Sequence, residues 1–376
     1  MTFTRLVLLA ICSTLLLSPA SRAQPGGQYM VSAANPHAAQ AGLDILAAGG
    51  SAVDAAIAAQ LVLGLVEPQS SGIGGGGFLM HYRAADQIID AYDGREAAPA
   101  AATGDMFLGT DGKPRKFYDA VVGGLSVGTP GLLRMLELAH QDHGKLPWAD
   151  LFAPAIRLAT DGFQVSPRLH YLIDRDAKRL TTFDSTRSYF YQPDGTALPV
   201  GSLLRNPAYA DVLQQVAQGG ADKFYNGAIA ADIVRTVREA TRNPGLMTLE
   251  DLSGYRAVKR QAVCGLYRNN HICGMPPPSS GGVTVAQMLG LLEGYDLAAM
   301  PPDSLSPAHL IAESGRLAFA DRNLYLADTD FVPAPLKGLL DPAYLKSRAA
   351  QISLKSSIGK AEAGTPPQDH GSLTPM

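Results

Sequence analysis

Gly72-Ile73-Gly74-Gly75-Gly76-Gly77-Phe78-Leu79-Met80-His81-Tyr82 runs a glycine loop directly into a strand. A polar turn near Asp86 follows, then a second strand, Gln87 to Tyr92, that ends at Asp93-Gly94-Arg95-Glu96. Gly72, Gly74 and Gly77 fit G-x-G-x-x-G formally. The order excludes a dinucleotide site, which needs strand, loop and then helix; here a helix precedes and a strand follows. Four consecutive glycines remove every side chain, so a second backbone or a ligand can approach closely. A tight structural crossing and a loop beside a substrate pocket both satisfy that reading.

The helix before the loop is signalled by Ser51 as a cap with Asp54 three residues on. It covers about Ala52 to Val66 and is apolar almost all round, which predicts burial. An earlier helix is capped by Asn35, begins at Pro36 and stops at Gly49-Gly50. After the hairpin, helical spacing covers Leu132 to His140, Ala149 to Thr160, Tyr209 to Ala217, Ile229 to Thr241 and His309 to Tyr325. Another helix starts near Thr284. Leu169 to Ala197 is polar and predicts an exposed segment. Residues 359–376 are rich in Gly, Pro and Ser and read as a flexible tail. Helices flanking strands predict a layered α/β protein.

Composition narrows the function. A net charge of −3 over 376 residues offers no concentrated basic face, which excludes a nucleic-acid partner. Arg5, the apolar run Leu6 to Leu17 and Ser21-Arg22-Ala23 make residues 1–23 a signal peptide, with Gln24 as the mature start. That run is short of the roughly 20 residues needed for a stable membrane span. Export leaves Cys264 and Cys273 in an oxidising compartment. They flank two short strands around Asn269-Asn270, so a cross-hairpin disulfide and a reduced pair are both open.

The polar residues have plain readings. His140 and His143 have the three-residue spacing of helix-borne metal ligands, but without a third ligand nearby they read as a solvent-exposed pair. Asp321-Arg322 reads as an internal ion pair of its helix, and Ser279-Ser280 as a cap for the helix that follows. No G-x-S-x-G elbow is present. Arg95 ends a strand, where a guanidinium can grip a carboxylate in bidentate fashion. Spacing alone favours a surface ion pair with Asp93 or Glu96.

Several stretches resemble the gamma-glutamyltransferase family of N-terminal-nucleophile hydrolases. In order they are Asn35-Pro36-His37-Ala38, Gly49 to Ala56, Gly72 to Phe78, Asp93-Gly94-Arg95-Glu96-Ala97-Ala98-Pro99 and Ser126-Val127-Gly128-Thr129-Pro130-Gly131. They continue with Leu146-Pro147-Trp148, Phe163 to Arg168, Asp251-Leu252-Ser253-Gly254-Tyr255, Pro276 to Gly282 and Ala320-Asp321-Arg322. The resemblance implies an αββα sandwich, with residues 24–358 as the large-subunit portion and 359–376 leading to an autocleavage site. It implies hydrolysis and transfer of γ-glutamyl amides, from glutathione or similar donors to water, amino acids or peptides. The enzyme would be periplasmic or secreted and need no cofactor or metal. Arg95 matches the arginine that binds the donor's α-carboxylate. The nucleophilic threonine belongs to a small subunit beyond Met376, since Thr374 is followed only by Pro375-Met376; the chain alone is then inactive. A glutaryl or cephalosporin acylase and a non-catalytic periplasmic binding protein are the alternatives.

Overall fold

The computed structural model describes residues 29–301 and 303–368. The expected signal peptide and Thr374 lie outside the described residues. Among the described residues, no helix is long and apolar enough to cross a membrane.

Helix α1 (Pro36–Ala47) starts where the Asn35 side chain accepts the His37 N–H. Helix α2 (Ala52–Val66) carries the expected capping box: Ser51 accepts from Asp54 N–H while Asp54 accepts from Ser51 N–H. The same Asp54 oxygen accepts from Lys145 and Leu146 N–H, so one buried carboxylate caps a helix and anchors a distant loop. As the sequence predicts, α2 is buried over most of its surface; Ile57, Ala58 and Leu61 are fully enclosed, and only Ala52 and Ala56 are exposed.

Strands β1 (Gly77–Arg83) and β2 (Ile88–Gly94) form an antiparallel hairpin, and β3 (Val258–Gln261) pairs antiparallel with the other edge of β2. Helix α3 (Leu132–His143) packs on one face of this sheet. Gly77 and Gly94 are cross-strand partners beneath its first turns. A Cβ on Gly77 would meet Leu132, and a Cβ on Gly94 would lie 2.4 Å from Met135 Cβ and 2.9 Å from the Gly131 carbonyl oxygen. The absent side chains thus set the helix–sheet spacing next to Arg95. Gly94→Ala should therefore cost about 1–3 kcal/mol by overpacking. Gly72→Ala, which adds a methyl in open space, should stay within about 0.5 kcal/mol. Urea denaturation midpoints of the two variants check this.

The sheet's other face carries Phe78, Met80 and Tyr82 at 38%, 38% and 56% exposure. It is the face that a second sheet covers in an αββα sandwich. Helices α4 (Ala153–Asp161), α5 (Pro167–Arg175), α6 (Pro207–Gly219) and α7 (Gly227–Arg238) extend the main core. The expectation of an exposed segment over 169–197 is corrected here. Leu169, Ile173, Phe190, Tyr191 and Ala197 are buried, because short amphipathic helices turn their few apolar side chains inward.

Strands β4 (Val263–Tyr267) and β5 (Asn270–Gly274) form the cysteine hairpin, with Cys264 directly opposite Cys273 and joined to it by a disulfide. The two-residue turn is Arg268-Asn269, both at positive φ, one position earlier than expected. Helices α8 (Gly281–Leu292), α9 (Leu305–Tyr325) and α10 (Pro342–Ala349) follow.

Residues 359–368 do not behave as the loose tail their composition suggests. Gly364 N–H donates to Asp321, Tyr325 OH donates to the Gly364 carbonyl, Arg348 donates to the Glu362 carbonyl, and Pro366 is buried. Asp321 itself pairs with Arg348 at 3.0 Å, not with the adjacent Arg322. Arg322 Nε reaches Ser280 Oγ instead. That hydroxyl makes no cap; Ser279 Oγ accepts the Gly281 N–H.

Candidate functional site

Arg95 follows β2 directly, and its backbone is held from two sides. Asp93 Oδ1 accepts the Arg95 N–H at 2.9 Å, and Tyr255 OH donates to the Arg95 carbonyl at 2.7 Å. Asp93 is not free to pair with the guanidinium, because Oδ2 accepts from Arg260 Nε at 2.7 Å. Arg260 in turn grips both oxygens of Asp330. These hydrogen bonds, led by that to Asp330, raise the Arg260 pKa further and hold the Asp330 carboxyl below its usual range.

Glu96 is committed elsewhere too. Its Oε1 accepts the Gly76 N–H at 2.7 Å. A Cβ on Gly76 would lie 2.5 Å from the Gly94 carbonyl oxygen and 2.7 Å from Glu96 Oε2. The glycine run is therefore a tight crossing at Gly76 and Gly77. It is open at Gly72 and Gly74, which line a cleft of about 710 Å³ together with Gln60, Ser70 and Phe78. The tight crossing expected of this loop is present at Gly76, while Gly72 and Gly74 border an open cleft.

The surface ion pair expected for Arg95 from spacing does not form with Asp93 or Glu96. Its guanidinium is exposed, donates from Nη1 to the Pro278 carbonyl at 3.0 Å, and has no carboxylate partner among the described residues. Four sequence stretches converge here: the glycine loop, Asp93 to Ala97, Thr129-Pro130-Gly131 and the Pro276 to Gly282 loop. Gly131 and Leu132 donate to the Gly75 carbonyl, and Ala97 bridges Thr129. Tyr255 and Arg260, which fix this corner, were not singled out as site residues. Only the stretch containing Tyr255 gave a signal.

His140 and His143 are not the expected exposed pair. His140 Nε2 bonds the Leu146 carbonyl at 2.9 Å, while His143 turns toward Asp90 and Tyr92 on the sheet. Among the described residues, the one cluster of potential metal ligands lies there, at the end of the hairpin away from Arg95.

The sequence profile named Gamma-glutamyltranspeptidase matches residues 38–373. The chain belongs to the gamma-glutamyltranspeptidase family. It is 38% identical over 336 residues to the glutathione hydrolase proenzyme of Escherichia coli, covering 89% of this chain and 57% of that relative. It is 40% identical over 337 residues to an acylase ACY 1 proenzyme of a Pseudomonas strain, covering 88% and 60%. The chain thus spans less than two thirds of the length of these relatives. Its fold is that of the family: the Helicobacter pylori gamma-glutamyltranspeptidase structure matches with TM-score 0.85 at 32% identity, over 92% of this chain and 97% of that one. A Bacillus halodurans cephalosporin acylase matches with TM-score 0.78 at 29% identity, over 93% and 65%.

Proposed function

We propose that this chain is the large-subunit portion of an exported gamma-glutamyl hydrolase and transferase, in which Arg95 anchors the α-carboxylate of the donor. One observation carries the reading. A guanidinium fixed at a strand end spends one donor on a carbonyl and keeps the rest free of any described carboxylate. A guanidinium has five N–H donors in a planar fork that matches a carboxylate.

Anchoring the carboxylate places the γ-amide carbon at a set distance from a nucleophile. That nucleophile is a threonine exposed by autocleavage at the start of a small subunit, with its own α-amine as base. The acyl group then passes from the threonine oxygen to water, or to the amine of an amino acid or peptide. Glutathione and other γ-glutamyl compounds are the donors. No metal or cofactor takes part, and the chain alone is inactive.

A glutaryl or cephalosporin acylase is the second reading, favoured by the 40% identity to the acylase proenzyme. A glutaryl group lacks the α-ammonium but keeps a carboxylate that Arg95 would suit equally. The test is a precursor carrying this chain and the reading frame after it. After self-cleavage it should release nitroaniline from γ-glutamyl-p-nitroanilide with a higher kcat/KM than from the glutaryl anilide. The reverse preference would establish the acylase reading, and release from neither would leave only a binding protein.

A further inference from the structure

His81, Asp90 and His143 come from three separate elements. The hairpin register sets His81 opposite Asp90, and α3 delivers His143 above them with its last residue. His143 Nε2 lies 3.2 Å from Asp90 Oδ2, and both side chains are less than a tenth exposed. One ligand atom from each of the three residues lies within 4.8 Å of the others. The two imidazole rings face each other with centroids 4.0 Å apart.

Two features of this cluster are not explained by packing. His81 Nδ1 is buried without a hydrogen-bond partner, which is rare for a polar atom in a folded protein. The second feature is charge. Asp90 contacts Arg83 and Lys259, Arg83 also pairs with Asp86, and Lys259 also pairs with Asp142. Three carboxylates thus face two permanent cations, which leaves one negative charge in surplus.

We propose that His81, Asp90 and His143 form a binding site for one borderline divalent transition ion of the zinc, cobalt or nickel type. Two imidazoles with one carboxylate suit these ions, whereas calcium and magnesium prefer all-oxygen sites. Lys259 and Arg83 hold the Asp90 carboxylate in place as outer-shell partners. Tyr92 OH lies 2.7 Å from His143 Nε2 and donates to Asp142 at 2.6 Å, so without the ion Nε2 carries the ring proton. Ion binding leaves the ring proton on Nδ1 and gives Nε2 a metal bond in its place. The ligand atoms must close to about 3.3 Å for bonds near 2 Å, which side-chain rotation supplies. The site lies four positions along β2 from Gly94, roughly 14 Å from the Arg95 corner. Its role is to staple β1, β2 and the end of α3, not to take part in acyl transfer, so it stands apart from the function proposed above.

The experiment uses the untagged chain, stripped with a chelator and titrated calorimetrically with zinc chloride and spectroscopically with cobalt chloride. Expected are one ion per chain, visible ligand-field bands for cobalt, and a melting temperature that rises with zinc by mass action. Asp90→Asn and His81→Gln should each weaken binding by at least about tenfold. His81→Ala combined with His143→Gln should lose the cobalt bands while keeping the far-UV circular dichroism of the parent. Affinity should also fall at least about tenfold between about pH 7.5 and about pH 5.5, as protons compete for the imidazoles. No saturable binding up to about 1 mM metal, or binding that survives in Asp90→Asn and His81→Gln, overturns the site.

Discussion

Replacing Arg95 with lysine in the complete enzyme is expected to raise KM for a γ-glutamyl donor by at least about tenfold, or about 1.4 kcal/mol. The charge survives this substitution, so the effect isolates geometry. Asp93 and Tyr255 clamp the backbone on either side of the residue, and β2 supplies a rigid base. The guanidinium therefore leaves the strand in a set direction. It can keep one N–H on the Pro278 carbonyl while a second edge meets a carboxylate. A lysine ammonium is a point charge on a flexible stem and lacks the planar fork that grips a carboxylate at two points. Since the α-carboxylate is remote from the bond being broken, most of the loss should appear in KM, with a smaller loss in kcat from poorer alignment of the amide. Initial rates over a range of donor concentrations settle it. An unchanged KM would remove Arg95 from the site.

What could be read from the sequence had local causes. The caps at Asn35 and Ser51, the glycine-led hairpin and the opposed cysteines all depend on residues within a few positions of one another, and all are present. The failures share a different cause. Asp321-Arg322 and Arg95-Glu96 are adjacent in sequence, yet neighbours in a helix or an extended segment do not face each other. Asp321 looks inward to Arg348 while Arg322 points to the Ser280 loop. Glu96 turns to Gly76 and Arg95 to Pro278. His140 and His143 do lie on neighbouring faces of one helix, but their partners come from α2, β1 and β2, which no spacing within the helix can reveal. The site behaves likewise. The matching stretches were visible one by one, whereas the contact of Arg95 with a loop 183 residues away appears only once the chain is folded.

Asp321→Ala should destabilise the fold by about 3 kcal/mol, the largest loss expected from any single substitution considered, because it strands a buried charge. Asp321 and Arg348 are 1% and 4% exposed. The carboxylate accepts from Gln287, Tyr344, Arg348 and Gly364. Burial and then that carboxylate push the Tyr344 phenol above its ordinary pKa, so the phenol remains a donor. Removing the acceptor leaves four donors short and Arg348 with only the carbonyls of Leu317 and Glu362 for its inner nitrogen. Those two carbonyls keep the estimate at the lower end for a broken buried pair. Asp321→Ala with Arg348→Met removes both charges and should recover only the part of the loss due to the stranded guanidinium, since Gln287, Tyr344 and Gly364 still lack their acceptor. Guanidinium denaturation of both variants gives the two numbers. The local consequence is as specific as the global one. Gly364 N–H loses its acceptor, so hydrogen exchange at residues 362–364 should speed up in Asp321→Ala before any global unfolding. If Asp321→Ala leaves both the midpoint and that exchange unchanged, the buried cluster does not hold the 359–368 segment against the body.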